Sequence, residues 1–215
     1  MTLKLYYHPL SSFCWKVLIA LYENATPFEP VLVQLHEPQS RDAFLKVWPM
    51  GKMPAMRDEA RDHLVPESSI IVEYLDRHYP GPVKLLPADP DRARQTRMAD
   101  RFLDLYIETP LQKIVGDRLR PKDKKDALGV EEARALMRQG LSMVEEAIGP
   151  AWMMGEDFTL ADCSAAPALF YAAKIMPLGT KTSAYLERLK ARPSFARTLK
   201  EAEPYFAMFP SEDRQ

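Results

Sequence analysis

The chain has 215 residues, 47% hydrophobic and 27% charged, with a formal net charge of −1, a composition that excludes a disordered chain and any global field for nucleic acid or anionic membrane. Its two cysteines, Cys14 and Cys163, are too distant in sequence for a disulfide framework, which fits a reducing, cytoplasmic setting. The four histidines, His8, His36, His63 and His78, are scattered without zinc-ligand spacing, so no metal is expected.

The first residues, "MTLKLYYHPL", lack the apolar run of a secretory signal, and no stretch approaches the ~18 apolar residues of a membrane span. Leu3–Tyr7 alternates and is rich in β-formers, so it predicts a strand ended by Pro9. From Ser12 to about Glu23 the period becomes helical, with Cys14, Val17 and Leu21 on one face and Trp15, Leu18 and Tyr22 on the next. Phe28–Leu35 predicts a second strand, and Ser40–Trp48 a short helix with Ser40 as its N-cap. Met53–Val65 predicts two short strands around a polar turn. Pro66–Pro80 predicts a helix carrying Ile70, Ile71, Tyr74, Leu75 and His78 at helical spacing.

Three prolines in "GPVKLLPADPD" mark a linker over residues 81–90. Beyond it the pattern is helical: Asp91–Val115, Gly129–Glu146, Thr159–Lys174 and Lys181–Lys190, then a shorter helix over Ser194–Glu201. Arg118–Asp126 is mixed in sign and reads as a solvated loop, and the tail "FPSEDRQ" reads as loose. The expected architecture is an α/β unit, β-α-β-α-β-β-α, over residues 1–80, followed by an all-α unit over residues 91–215.

Four motifs carry a family resemblance. "GKMPAM" (Gly51–Met56), "ESSIIVEYL" (Glu67–Leu75), "FTLADCSAAPALF" (Phe158–Phe170) and "RPSFAR" (Arg192–Arg197) resemble, in order, segments of the cytosolic glutathione S-transferase superfamily. The opening "SSFCWKV" resembles its serine-type members, zeta-like or tau-like, with Lys16 in place of their usual arginine. The resemblance implies a thioredoxin-like glutathione-binding domain and a helical-bundle domain contributing the electrophile site. It also implies a two-fold homodimer, glutathione as co-substrate and a small hydrophobic electrophile as partner. Conjugation in detoxification, or a zeta-like isomerisation, is the implied reaction.

Such an enzyme must hold glutathione as thiolate, the nucleophilic form of a group whose free pKa is about 8.5. A hydroxyl that donates to sulfur at a helix N-terminus favours the anion twice, by the bond and by the helix dipole. Ser11 and Ser12 stand there, and Ser11 matches the family's activating serine; either is equally an ordinary N-cap. Cys14 is the alternative for a thiol-disulfide reductase, although its helical phase favours burial, and Tyr7 is the alternative for a tyrosine-type enzyme.

For glutathione itself, the resemblance points to Pro54 in a cis bond presenting the Met53 backbone, to Glu67 and Ser68 for the γ-glutamyl end, and to Gln39, Ser40 and Lys52, with His36 behind them, for the glycyl end. Thr159 and Asp162 form a capping box of structural role. Leu10, Phe13, Tyr106 and Ile107 are placed by position at the electrophile pocket. Trp48, where the family has Asn, keeps open a non-catalytic, partner-binding or regulatory relative of the same fold.

Overall fold

The structure, a computed structural model, describes residues 2–210. Strands β1 (Leu3–Tyr7), β2 (Glu29–Leu32), β3 (Ala55–Asp58) and β4 (His63–Pro66) form one sheet in the order β2-β1-β3-β4, with β1 and β2 parallel and the other pairs antiparallel. Helices α1 (Ser12–Glu23), α2 (Pro38–Val47) and α3 (Ser68–His78) complete the first unit. Strand β2 is shorter than the apolar run that predicts it. Pro30 lacks the N–H a central strand needs, and β2 lies at the sheet edge, where such a residue is tolerated.

Helix α2 begins at Pro38 with Glu37 in the capping position, two residues before the expected start. Ser40 is therefore no N-cap; its Oγ accepts from the Gln34 N–H at 2.9 Å and braces the loop ahead of the helix. In α3 the buried face is Ile71, Val72 and Leu75, whereas Ile70 turns outward at 53% exposure. Helix α1 is buried on both of its expected faces, because α3 covers it from one side and helices of the second unit from the other.

Residues 79–89 form an irregular but anchored connection. Leu85 is fully buried, its N–H bonds Asp76, and its carbonyl accepts from the Leu160 N–H. The second unit contains α4 (Pro90–Leu103), α5 (Thr109–Arg118), α6 (Ala127–Ala147), α7 (Leu160–Ala172), α8 (Thr180–Ala191) and α9 (Pro193–Ala202). Asp162 caps α7 by accepting from the Thr159 N–H at 2.8 Å and hydroxyl at 3.1 Å, and it also receives the Met153 N–H and the Tyr185 hydroxyl.

The single helix expected over Asp91–Val115 is interrupted. Between α4 and α5 the backbone widens into a π turn at Asp104–Glu108. Pro110 has no N–H for the Tyr106 carbonyl, and the Thr109 N–H and hydroxyl both return to the Asp104 carbonyl. Gly140 of α6 makes room for this turn: a Cβ there would lie 2.8 Å from the Tyr106 oxygen. At the other end of the unit, Phe209 stacks on Tyr171 and the Pro210 carbonyl accepts from Arg118, so the first part of the expected loose tail is held. Residues 211–215 of that tail lie outside the described residues.

Candidate functional site

Strand pairing collects the candidate residues at one edge of the sheet. Tyr7 pairs with Leu32, Tyr6 with Ala55, and Ala55 with Pro66. The C-terminal ends of β1, β2 and β4 and the start of β3 therefore share that edge. From it emerge the loop into α1 with Ser11 and Ser12, the approach to α2 with Gln39, the Lys52–Pro54 segment, and the Glu67–Ser68 step into α3.

The Met53–Pro54 bond is cis. Glu67 is exposed and sits at φ 68°, a left-handed conformation that non-glycine residues seldom adopt and that marks functional loops. Ser68 beside it is buried at the N-terminus of α3. Lys52, Gln39 and His36 are exposed and Met53 is half-buried.

The loop before α1 is held at several points. The Leu10 N–H bonds His8 Nδ1 at 3.1 Å, the Ser11 N–H bonds the His8 carbonyl at 3.0 Å, and Trp15 Nε1 reaches the Pro9 carbonyl. From the second unit, the Tyr171 hydroxyl donates to the Leu10 carbonyl at 2.8 Å. Ser11 is the N-cap of α1, its Oγ accepting from the Cys14 N–H at 3.3 Å. Ser12 is buried, and its hydroxyl donates to Glu108 Oε2 at 2.8 Å.

These contacts give the two serines opposite polarity. Ser11 accepts from the backbone, and its own proton is shared between the nearby Cys14 thiol and whatever occupies the cleft. Ser12 has committed its proton to a carboxyl, so it presents lone pairs. Both line a cleft of about 410 Å³ between the two units, together with Leu10, Leu111, Tyr171 and Phe209.

The remaining sequence candidates lie elsewhere. Cys14 is fully buried, and burial pushes its thiol up to about 11, so it is a poor nucleophile at neutral pH. Tyr7 is half-buried against the core, and burial raises its hydroxyl as well. Ile107 is fully buried in the core and has no surface to offer an electrophile. Tyr106 is 40% exposed, meets the Phe102 ring at a tilt and does not line the serine cleft, and the Phe13 ring lies under the Lys16 ammonium, 5.5 Å from its centroid. Of the four residues placed at an electrophile pocket, Leu10 alone borders this cleft. Trp48 packs half-buried against the small cluster of Val33, Phe44 and Ala55.

Sequence reasoning missed Glu108 and Tyr171. Glu108 belongs to the π turn, is 2% exposed, and burial raises its carboxyl to about 7. Nothing in the local sequence separates it from a surface glutamate, because its partner is 96 residues away. A second hollow between α4 and α6 is lined by Met98, Phe102, Met143 and Met154 and carries no titratable group to do chemistry. Among the described residues, no cluster of His, Cys, Asp or Glu could hold a metal ion, and no helix is long and apolar enough to cross a membrane.

Comparison with known proteins agrees with this architecture. The family model for the glutathione S-transferase N-terminal domain matches residues 5–83, and that for the C-terminal domain matches residues 127–197. A glutathione S-transferase of Pseudomonas putida is 31% identical over 74% of this chain and 70% of its own. A stringent starvation protein A homolog of Histophilus somni is 30% identical over 89% of this chain and 87% of its own. The crystal structure of a glutathione S-transferase of Methylobacterium radiotolerans, in complex with glutathione sulfonate, is 28% identical with a TM-score of 0.79, covering 91% of this chain and 93% of that one. Two domain matches in the right order, on the fold those domains form, make this chain a member of the glutathione S-transferase superfamily.

Proposed function

We propose that the protein is a glutathione transferase that binds glutathione along the sheet edge and stabilises its thiolate through Ser11. The observation that carries this reading is the place of Ser11: it caps α1 at the cleft, and its hydroxyl, which also lies within reach of the Cys14 thiol, can turn its proton to a ligand sulfur. The N-terminus of α1 adds its dipole to the same anion. The Met53 backbone, Glu67 and Ser68 would hold the cysteinyl and γ-glutamyl parts of the tripeptide, with Gln39 and Lys52 near the glycyl carboxylate. A small apolar electrophile would lie against Leu10, Leu111 and Phe209, for conjugation or isomerisation.

The test compares wild type with Ser11→Ala. Both should be retained on immobilised glutathione, while the variant loses thiol conjugation by on the order of 10²-fold, the usual cost of one donor to a developing anion. A variant with full activity would remove Ser11 from the role. A second reading, a stress-regulating binding protein without catalysis, is supported by the likeness to the stringent starvation protein A homolog. Wild type that neither binds glutathione nor conjugates would favour that reading.

A further inference from the structure

Lys16, Asp100, Asp104 and Glu108 form a cluster of one cation and three carboxyl groups in the interior beside the cleft. Lys16 Nζ is shared between Asp104, at 2.6 and 2.8 Å, and Asp100, at 2.8 Å. Among the described residues, no cation pairs with Glu108: its Oε2 takes the Ser12 hydroxyl, and its Oε1 is buried without a partner. Carboxyls outnumber the cation, so the group most remote from the ammonium is the one to take up a proton.

Helix α5 buries Pro110, Leu111, Ile114 and Asp117, and Asp117 accepts the Asp126 N–H farther along the helix and does not act on Glu108. The buried residues of α6 are Ala133, Met137, Gly140, Leu141 and Val144, and α7 contributes Tyr171, whose hydroxyl is spent on Leu10. Burial, with Asp104 adding to it, holds Glu108 near 7, within about 1.5 of a free thiol. Transfer from a free thiol to this carboxylate would be uphill by about 30-fold, a gap that the helix N-terminus and the serine donors to the thiolate narrow.

We propose that Glu108 receives the thiol proton of bound glutathione through Ser12, acting as a positioning residue behind the second serine. The inference rests on the glutathione reading of this cleft. In the step, the S–H bond breaks and its proton joins Ser12 Oγ, while the proton Ser12 held passes to Glu108 Oε2. The negative charge moves from the carboxylate to the sulfur, and no proton leaves the protein. The neutral Glu108 then donates to Ser12, and Ser12 donates to the thiolate, so both serines end as donors to the same anion.

The experiment is a proton count at pH ~8, where Glu108 starts mostly ionised. Thiolate formed on glutathione binding is read by ultraviolet absorbance. Protons released are read by calorimetry in two buffers of different ionisation heat. Titration with S-methylglutathione, which has no thiol proton, subtracts protons moved by the rest of the tripeptide. The thiolate's negative charge raises the nearby Glu108 carboxyl further and holds the proton on it, so wild type should form thiolate while releasing well under one proton per thiolate. In Glu108→Gln and Ser12→Ala, any thiolate formed should release its full proton to the buffer.

Wild type releasing one proton per thiolate overturns the relay, as does wild type that binds glutathione and forms no thiolate. The wild-type count stands even if a variant does not fold. Absence of glutathione binding is a different result: it removes the functional reading itself.

Discussion

Glu108 holds a carboxyl group away from both water and cations, with one hydroxyl for company, and the consequence reaches beyond the cleft. A folded-state pKa raised from 4.5 to about 7 means that the folded protein keeps a proton the unfolded chain gives up between those values. The associated stability is present below about pH 4.5 and is lost as pH rises through about 7; the rise corresponds to about 3 kcal/mol. Glu108→Gln removes the titration while keeping an acceptor for Ser12. Its stability relative to wild type should therefore grow between about pH 5 and pH 8, read as the difference between the two melting temperatures at each pH. A difference that stays flat across that window would mean that the fold does not raise the Glu108 carboxyl above its value in the unfolded chain.

At the scale of elements, the π turn is what brings Glu108 to Ser12, and Gly140 is what admits the turn. An alanine at Gly140 gains about 1 kcal/mol of helix propensity but sets its Cβ 2.8 Å from the Tyr106 carbonyl and 2.9 Å from Ile107. Backbone cannot give way as a flexible side chain does, so Gly140→Ala should lower stability by about 1–3 kcal/mol. Gly116→Ala in α5, where nothing lies within 4 Å, should instead raise it by up to about 1 kcal/mol. Chemical denaturation of the pair gives opposite signs if the close approach is real.

The same elements show what was legible in the sequence. The β1–α1 junction, the strand pair around Asp58 and the α7 capping box are local chemistry, and each is placed by residues within a few positions. Apolar periodicity ran unbroken through Asp91–Val115 because a π turn adds one residue without moving the buried stripe far. Pro110 was the only local mark of it. Ile70 shares the helical spacing yet faces solvent, because period alone does not say which of two adjacent faces a helix buries.

Over the whole molecule, Lys16 joins the two units. It projects from α1, and its ammonium reaches Ser69 at the start of α3, Asp100 on α4 and Asp104 at the π turn. Asp100 also takes the Ser164 hydroxyl from α7. Removing only the cation strands two buried carboxylates, so Lys16→Met should cost about 3–5 kcal/mol at neutral pH, although methionine fits the space. The loss should shrink in acid, where the stranded groups take up protons. Adding Asp104→Asn to Lys16→Met should recover about 1–3 kcal/mol relative to the sum of the two single changes. Strict additivity in that double-mutant cycle would show that the ammonium and Asp104 are not coupled. Lys16 also lowers the Glu108 pKa, so its loss should shift the pH dependence attributed to Glu108 upward. A contact that fastens the two units together would then be seen to set the proton affinity of the carboxyl behind the cleft.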